Sequence, residues 1–276
     1  YEIHERLVGS EMCIRDSVYF DVTEDNSTEE SGVTVVKVDK PNMAQKGTIT
    51  VEKNGEVFFG VSVIGGVDES GNELPTIYQP QYEKRGLPGA VYEIIAAEDI
   101  ITPDGTVRNQ KGNVVDTVTT DATGTAVSRE LYLGKYEVRE ITAPHGMVLN
   151  PEPHCVELAY AGQNVAVTET ATSFENERQK VEISLVKSIE QNERFGIGTN
   201  GEMKNISFGL FAAEEIVSAS GTSIPANGLV EIISLNEDGT AKIKTDLPFG
   251  SYYVQELATD SHYKLSDTKY LSLIHI

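Results

Sequence analysis

Apolar and polar residues alternate along most of the chain in short runs, without the three-and-four spacing of a buried helix face. Thr48–Val51, Val57–Val63, Val91–Ala96, Lys135–Glu140 and Val165–Thr170 are rich in Val, Ile, Thr and Tyr, residues that suit a pleated, half-buried surface. Asp104-Gly105, Thr123-Gly124 and Asp238-Gly239 fall between such runs and mark turns. Only Ile94–Asp99 offers a brief helical spacing. The pattern predicts an all-β sandwich.

The alternation also repeats. Ile94–Ile100 (IIAAEDI) returns as Leu210–Ile216 (LFAAEEI), and Gly134–Glu140 (GKYEVRE) returns as Gly250–Glu256 (GSYYVQE), both at an offset of 116. A second match lays Asn176–Lys180 over Asn42–Lys46 at an offset of 134, and a Lys follows each Asn by 11 positions. The difference of 18 residues falls in the segment GGVDESGNELPTIYQPQYEKR, which the second copy lacks and which reads as a loop. Two copies in register predict tandem domains. The expected organisation is the tail of a preceding sandwich domain (18–45), a complete domain (46–180) and a second domain cut short (181–270). Residues 1–17 and 271–276 resemble translated sequencing-adapter read-through, in LVGSEMCIRDS (Leu7–Ser17) and LSLIHI. On that reading the natural sequence is an internal fragment, with any export signal and wall anchor outside it.

Charge narrows the functions. With 22 Lys and Arg against 43 Asp and Glu the net charge is −21, which opposes binding to phosphate backbones and to anionic lipid. No nucleic acid and no membrane contact is expected of this fragment, and no apolar run is long enough to span a bilayer. Once the adapter-like ends are set aside Cys155 stands alone, so no intramolecular disulfide can staple the fold.

Parity along the strands identifies candidate chemistry. Lys53 shares a face with Ile49 and Val51, Glu140 with Tyr136 and Val138, and Asn176 with Phe174. The second copy repeats the first two: Lys187 aligns with Ile183 and Leu185, and Glu256 with Tyr252 and Val254. A core rejects ionised groups unless they are paired or neutralised. A neutral lysine is a nucleophile, and a protonated glutamate can polarise a carboxamide oxygen. Lys53 could then attack the Asn176 side chain and expel ammonia, leaving an isopeptide bond. Lys187 and Asn42 would be unpaired members of two further sets, so the chain should hold at most one such bond within itself.

The Lys-ending first strand, LPGAVYEI, GKYEVREITAPHGM and FENE together resemble the Cna B-type, or SpaA-like, repeats of Gram-positive surface proteins and pilins. The resemblance implies tandem prealbumin-like sandwiches with adjacent first and last strands. It also implies a Lys53–Asn176 cross-link with Glu140 as its catalytic acid, Glu256 being the counterpart in the second copy. The implied function is a structural stalk or adhesin segment, extracellular and attached to the cell wall, with neighbouring repeats as partners. It would not be an enzyme beyond its own single cross-linking turnover, and it would need no cofactor. Two other readings are a module that binds a host glycan or host protein through the insertion or the acidic loops, which exposed aromatic residues there such as Tyr78 and Tyr82 would support, and an accessory domain of a cell-wall enzyme. His154-Cys155 reads as a strand position, Asp68–Glu73 as a solvated turn without calcium-loop spacing, and no metal site is expected.

Overall fold

The computed structural model describes residues 28–30, 33–36, 43–67 and 69–274. They fall in two compact units, 1–44 and 45–276. In the first, β1 (Thr28–Glu30) and β2 (Val33–Val35) form an antiparallel hairpin. Asn42 and residues 1–17 lie outside the described residues.

The first sandwich opens with the hairpin of β3 (Lys46–Val67) and β4 (Glu73–Gly86). It continues through β5 (Val91–Ala96), a small ribbon of β6 (Ile100–Ile101) and β7 (Val107–Asn109), β8 (Val114–Thr119), β9 (Thr125–Val127) and β10 (Leu131–Tyr132). β11 (Gly134–Thr142), β12 (His154–Leu158) and β13 (Val167–Asn176) complete it. One sheet runs β12-β11-β5-β8. The other is built on the first half of β3, with β9 and β10 antiparallel to it and β13 parallel. Alternate residues of both sheets fill the space between them, chiefly Ile49, Val51, Tyr92, Ile94, Tyr136, Val138 and Phe174.

Three local expectations need correction. Ile94–Asp99 is not helical: Ile94 to Ala96 end strand β5, with Ile94 and Ala96 fully turned into the core, and a bend follows. The last strand begins at Val167 rather than Val165 and runs on to Asn176. The insertion is not a loop. Its β-branched and aromatic residues pair across β3 and β4 from Asn54↔Gly86 out to Val67↔Glu73, so a two-stranded arm projects from the sandwich, with a turn at residues 69–71.

A second core forms around Phe208, Leu210, Ile233, Tyr252 and Val254. Its strands are β14 (Ser184–Val186), β15 (Ser207–Ala212), the ribbon β16 (Ile216–Val217) and β17 (Ser223–Ile224), β18 (Leu229–Ser234), β19 (Thr240–Lys242), β20 (Gly250–Ala258) and β21 (Tyr270–Ile274). The sheet β18-β15-β20-β21 matches β8-β5-β11-β12 of the first sandwich. Gly250↔Ile274 repeats Gly134↔Leu158 at the sequence offset of 116. Residues 271–274, set aside above as adapter-like, occupy that edge strand. Tyr136 donates its hydroxyl to the Tyr132 carbonyl at 2.6 Å, and Tyr252 does the same to Pro248 at 2.9 Å, so each copy ties the approach to its central strand in one way. Among the described residues β14 pairs with β19 alone, and nothing takes the place that β13 has beside β3.

Candidate cross-linking site

Strand register brings three side chains together. In the parallel pair β3–β13, Phe174 lies opposite Lys53 and Asn176 opposite Gly55, so Asn176 sits on the diagonal from Lys53 on the same face. Glu140 comes from the other sheet, where it pairs with Tyr92. Lys53 Nζ lies 2.9 Å from Glu140 Oε1 and donates to Asn176 Oδ1, while Asn176 Nδ2 donates to Glu140 Oε1 at 2.9 Å. All three are buried, at 0%, 2% and 5% exposure.

The surroundings are aromatic and dry. Lys53 Nζ is 5.8 Å from the ring centroids of both Tyr92 and Phe174. Those two rings are 4.8 Å apart, and His154 stacks on the outer face of Phe174 at 3.9 Å. His154 also bonds Thr172 Oγ1 at 2.8 Å and so is fixed over the site; its neighbour Cys155 is an exposed free thiol. Burial pushes the Lys53 amine below its ordinary value, against the hydrogen bond and charge of Glu140, which pull it back up. Burial first, and the Glu140 charge second, hold the Tyr92 phenol well above its ordinary range.

Two supporting contacts leave little trace in the sequence. The backbone N–H of Asn150 donates to Glu140 Oε2 at 3.0 Å, fixing the carboxylate from a loop. Lys53 is held at its backbone by Gly124, whose carbonyl accepts from Lys53 N at 2.7 Å. A Cβ on Gly124 would lie 2.5 Å from the Lys53 carbonyl, and its φ of 81° is left-handed, so the turn requires glycine twice over. Thr123-Gly124 is visible as a turn in the sequence; its closeness to Lys53 is not.

The second copy holds half of this arrangement. Lys187 Nζ lies 3.1 Å from Glu256 Oε1, and Ser266 N donates to Glu256 Oε2 at 2.9 Å, the counterpart of Asn150. Phe208 replaces Tyr92, 5.8 Å from Lys187 Nζ. Among the described residues no carboxamide is seen to bond the pair, and the Lys187 side chain is 27% exposed where that of Lys53 is 0%.

Other sequence candidates are placed elsewhere. Tyr78 and Tyr82 are not free on a loop: Tyr78 packs against the second core, and Tyr82 lies under the Arg178 guanidinium at 4.0 Å and donates to the Asp246 carbonyl at 3.2 Å. Residues 69–73 form the tip of the arm; Asp68 is outside the described residues. Among the described residues no cluster of His, Cys, Asp or Glu could hold a metal ion, and no helix is long and apolar enough to cross a membrane.

A family model described as a SpaA prealbumin-like fold domain matches residues 79–173 and again 187–274. Solved structures similar to the chain include the Bacillus anthracis TIE protein, at 20% identity and a TM-score of 0.49, over 83% of this chain and 31% of that one. The full-length major pilin SpaD of Corynebacterium diphtheriae aligns at 14% identity and a TM-score of 0.32, over 85% and 66% of the two chains. The shaft pilin spaA of Lactobacillus rhamnosus GG aligns at 12% identity and a TM-score of 0.30, over 83% and 94%. The chain thus spans about a third of the TIE protein structure. No curated protein matches it.

Proposed function

We propose that this chain, which belongs to the SpaA family of prealbumin-like fold domains, is a structural segment of a cell-surface stalk or pilus-type protein whose first sandwich is closed by a Lys53–Asn176 isopeptide bond. The observation that carries the proposal is the buried contact of Lys53, Glu140 and Asn176 between the first and last strands.

The chemistry follows from the contacts. Lys53 passes a proton to Glu140, and the neutral amine attacks the Asn176 Cγ. The protonated Glu140, 2.9 Å from Asn176 Nδ2, returns the proton to that nitrogen. The Nζ–Cγ bond forms, the Cγ–Nδ2 bond breaks, and ammonia leaves with the second Nζ proton. No cofactor enters, and the reaction occurs once per chain. Preorganised donors and a water-poor site favour such a transfer.

The bond would join β3 to β13, so tension entering at Lys46 would pass from Lys53 to Asn176 and out through residue 177. The chain between them would be spared. That is the property a stalk exposed to pulling requires. Lys187 and Glu256 are set as a second pair awaiting an acceptor. Tyr78 and Tyr82, which would have supported a ligand-binding reading if exposed, are engaged within the chain.

The test is the intact mass of the purified chain, followed by digestion. The expected mass is lower than the sequence by one ammonia, with Lys53 and Asn176 peptides joined. A folded protein of unaltered mass refutes the proposal.

A further inference from the structure

We propose that the arm formed by β3 and β4 is an interaction surface for the sandwich that follows it, and works as a strut that fixes the angle between the two.

The arm is long enough. From Gly55 to Val67 an extended strand covers about 40 Å, which carries it beyond the core of its own sandwich. Its inner residues are claimed by the second core: Phe58, Val61 and Tyr78 all pack there. Its backbone is claimed too. Ala219 N donates to the Phe58 carbonyl at 3.0 Å, Ser220 N to the Phe59 carbonyl at 2.9 Å, and Val61 N to Thr222 Oγ1 at 3.1 Å. On the other side Ile77 of β4 pairs in parallel with Leu229 at the edge of the second sheet. The arm therefore joins that sheet at one end of its edge strand, through a single bridged pair. Gly228 permits the approach, since a Cβ there would come within 3.1 Å of the Tyr78 ring.

A separate contact sits at the linker. Arg178, two residues after Asn176, is paired with Asp246 and stacked on Tyr82, and Lys180 lies 3.6 Å from the same carboxylate. His145 meets Phe249 edge to face at 5.8 Å. One contact point would leave a hinge, free to bend about it. Two contacts, set apart along the arm, remove that freedom. The arm leaves the chain between Lys53 and Asn176, which tension would bypass once the bond is formed. It therefore carries no tension and resists bending.

Only the arm's freedom from tension rests on the cross-link; the fixed angle does not, and its test separates the two. In the full chain with Cys13→Ser and Glu237→Cys, the latter at an exposed position, spin labels on residues 155 and 237 report the distance between the sandwiches. The parent should give one narrow distance distribution. Replacing residues 60–81 by an Asn-Gly turn should broaden it at least twofold while the loss of one ammonia is unchanged. Should that variant fail to fold, the double variant Val61→Glu and Tyr78→Glu keeps the arm and sets charges against the second core, with the same expected broadening. A distribution as narrow as the parent's in a folded variant overturns the strut, whatever the mass says about the bond.

Discussion

Replacing Asn176 by Ala takes away the acceptor and leaves Lys53 and Glu140 in place. Its effect on stability can be worked from the structure. The bond would close a span of 123 positions, and a chain-entropy treatment of such a loop gives about 5 kcal/mol at room temperature. The substitution also leaves Lys53 as a free buried amine beside Glu140, without the side-chain oxygen of residue 176 that accepts from it; leaving such a buried group short of a partner costs about 1–3 kcal/mol more. Unfolding roughly 130 residues at about 2.1 cal/mol/K each releases about 0.27 kcal/mol/K, so the first sandwich should melt roughly 25 °C lower. Calorimetry on parent and variant, each with its intact mass, measures both the shift and its cause. The variant's mass should equal its sequence. If the parent lacks one ammonia and Asn176→Ala melts within about 5 °C of it, the bond forms but the entropic account of its value is wrong.

Glu140→Gln keeps the size of the side chain and removes its proton transfer; the expected result is a folded chain of unaltered mass, and cross-linking at the parent's rate would deny Glu140 its role. In Asn176→Ala, burial holds the Lys53 amine below its ordinary value, so the folded state binds fewer protons than the unfolded state between the two values. Stability should therefore rise with pH across that window. Urea titrations below about pH 10, before tyrosines ionise in the unfolded chain, should show a steeper rise for Asn176→Ala than for Lys53→Met with Asn176→Ala, and equal slopes would contradict the burial argument. Gly124→Ala should displace the Lys53 backbone and leave cross-linking slow or incomplete, whereas Gly105→Ala, at a φ of 80° but with open space around it, should leave it complete. Mass spectra of freshly expressed protein compare the two.

Strand alternation placed the inward residues well, because parity needs only near neighbours in sequence: Ile49, Val51 and Lys53 are buried in turn, as are Tyr136, Val138 and Glu140. The repeat offset carried further, down to the pairing of β20 with β21. The arm was illegible for a physical reason. Its outer half has exposed Val63, Ile64, Val67 and Leu74, and its inner half is buried by the next sandwich, so no single face alternates cleanly along its length. Gln, Pro and Gly within it read as punctuation. The anchors of Glu140 and Lys53 escaped for another reason: they are a backbone N–H at Asn150 and a backbone carbonyl at Gly124, and main-chain groups have no residue type to recognise.

The two copies together separate what each strand contributes. Both place a lysine against a glutamate, and both steady the glutamate with a loop N–H, at Asn150 and at Ser266. They differ in the strand beside the lysine. In the first copy β13 lies there and delivers Asn176, but it also delivers Phe174, whose ring, backed by His154, covers Lys53. In the second, where no described strand takes that place, Lys187 remains open to water. Electrophile and desolvation therefore arrive on one element. Sealing an amine under an aromatic ring strips its hydration and lowers its hold on a proton, the direction in which burial moves Lys53. On the proposed mechanism the nucleophile becomes competent only when the sandwich has closed in correct register, since a slip of one residue along β13 would turn Asn176 and Phe174 to the outer face together. Cross-linking would then follow folding and lock only the native pairing.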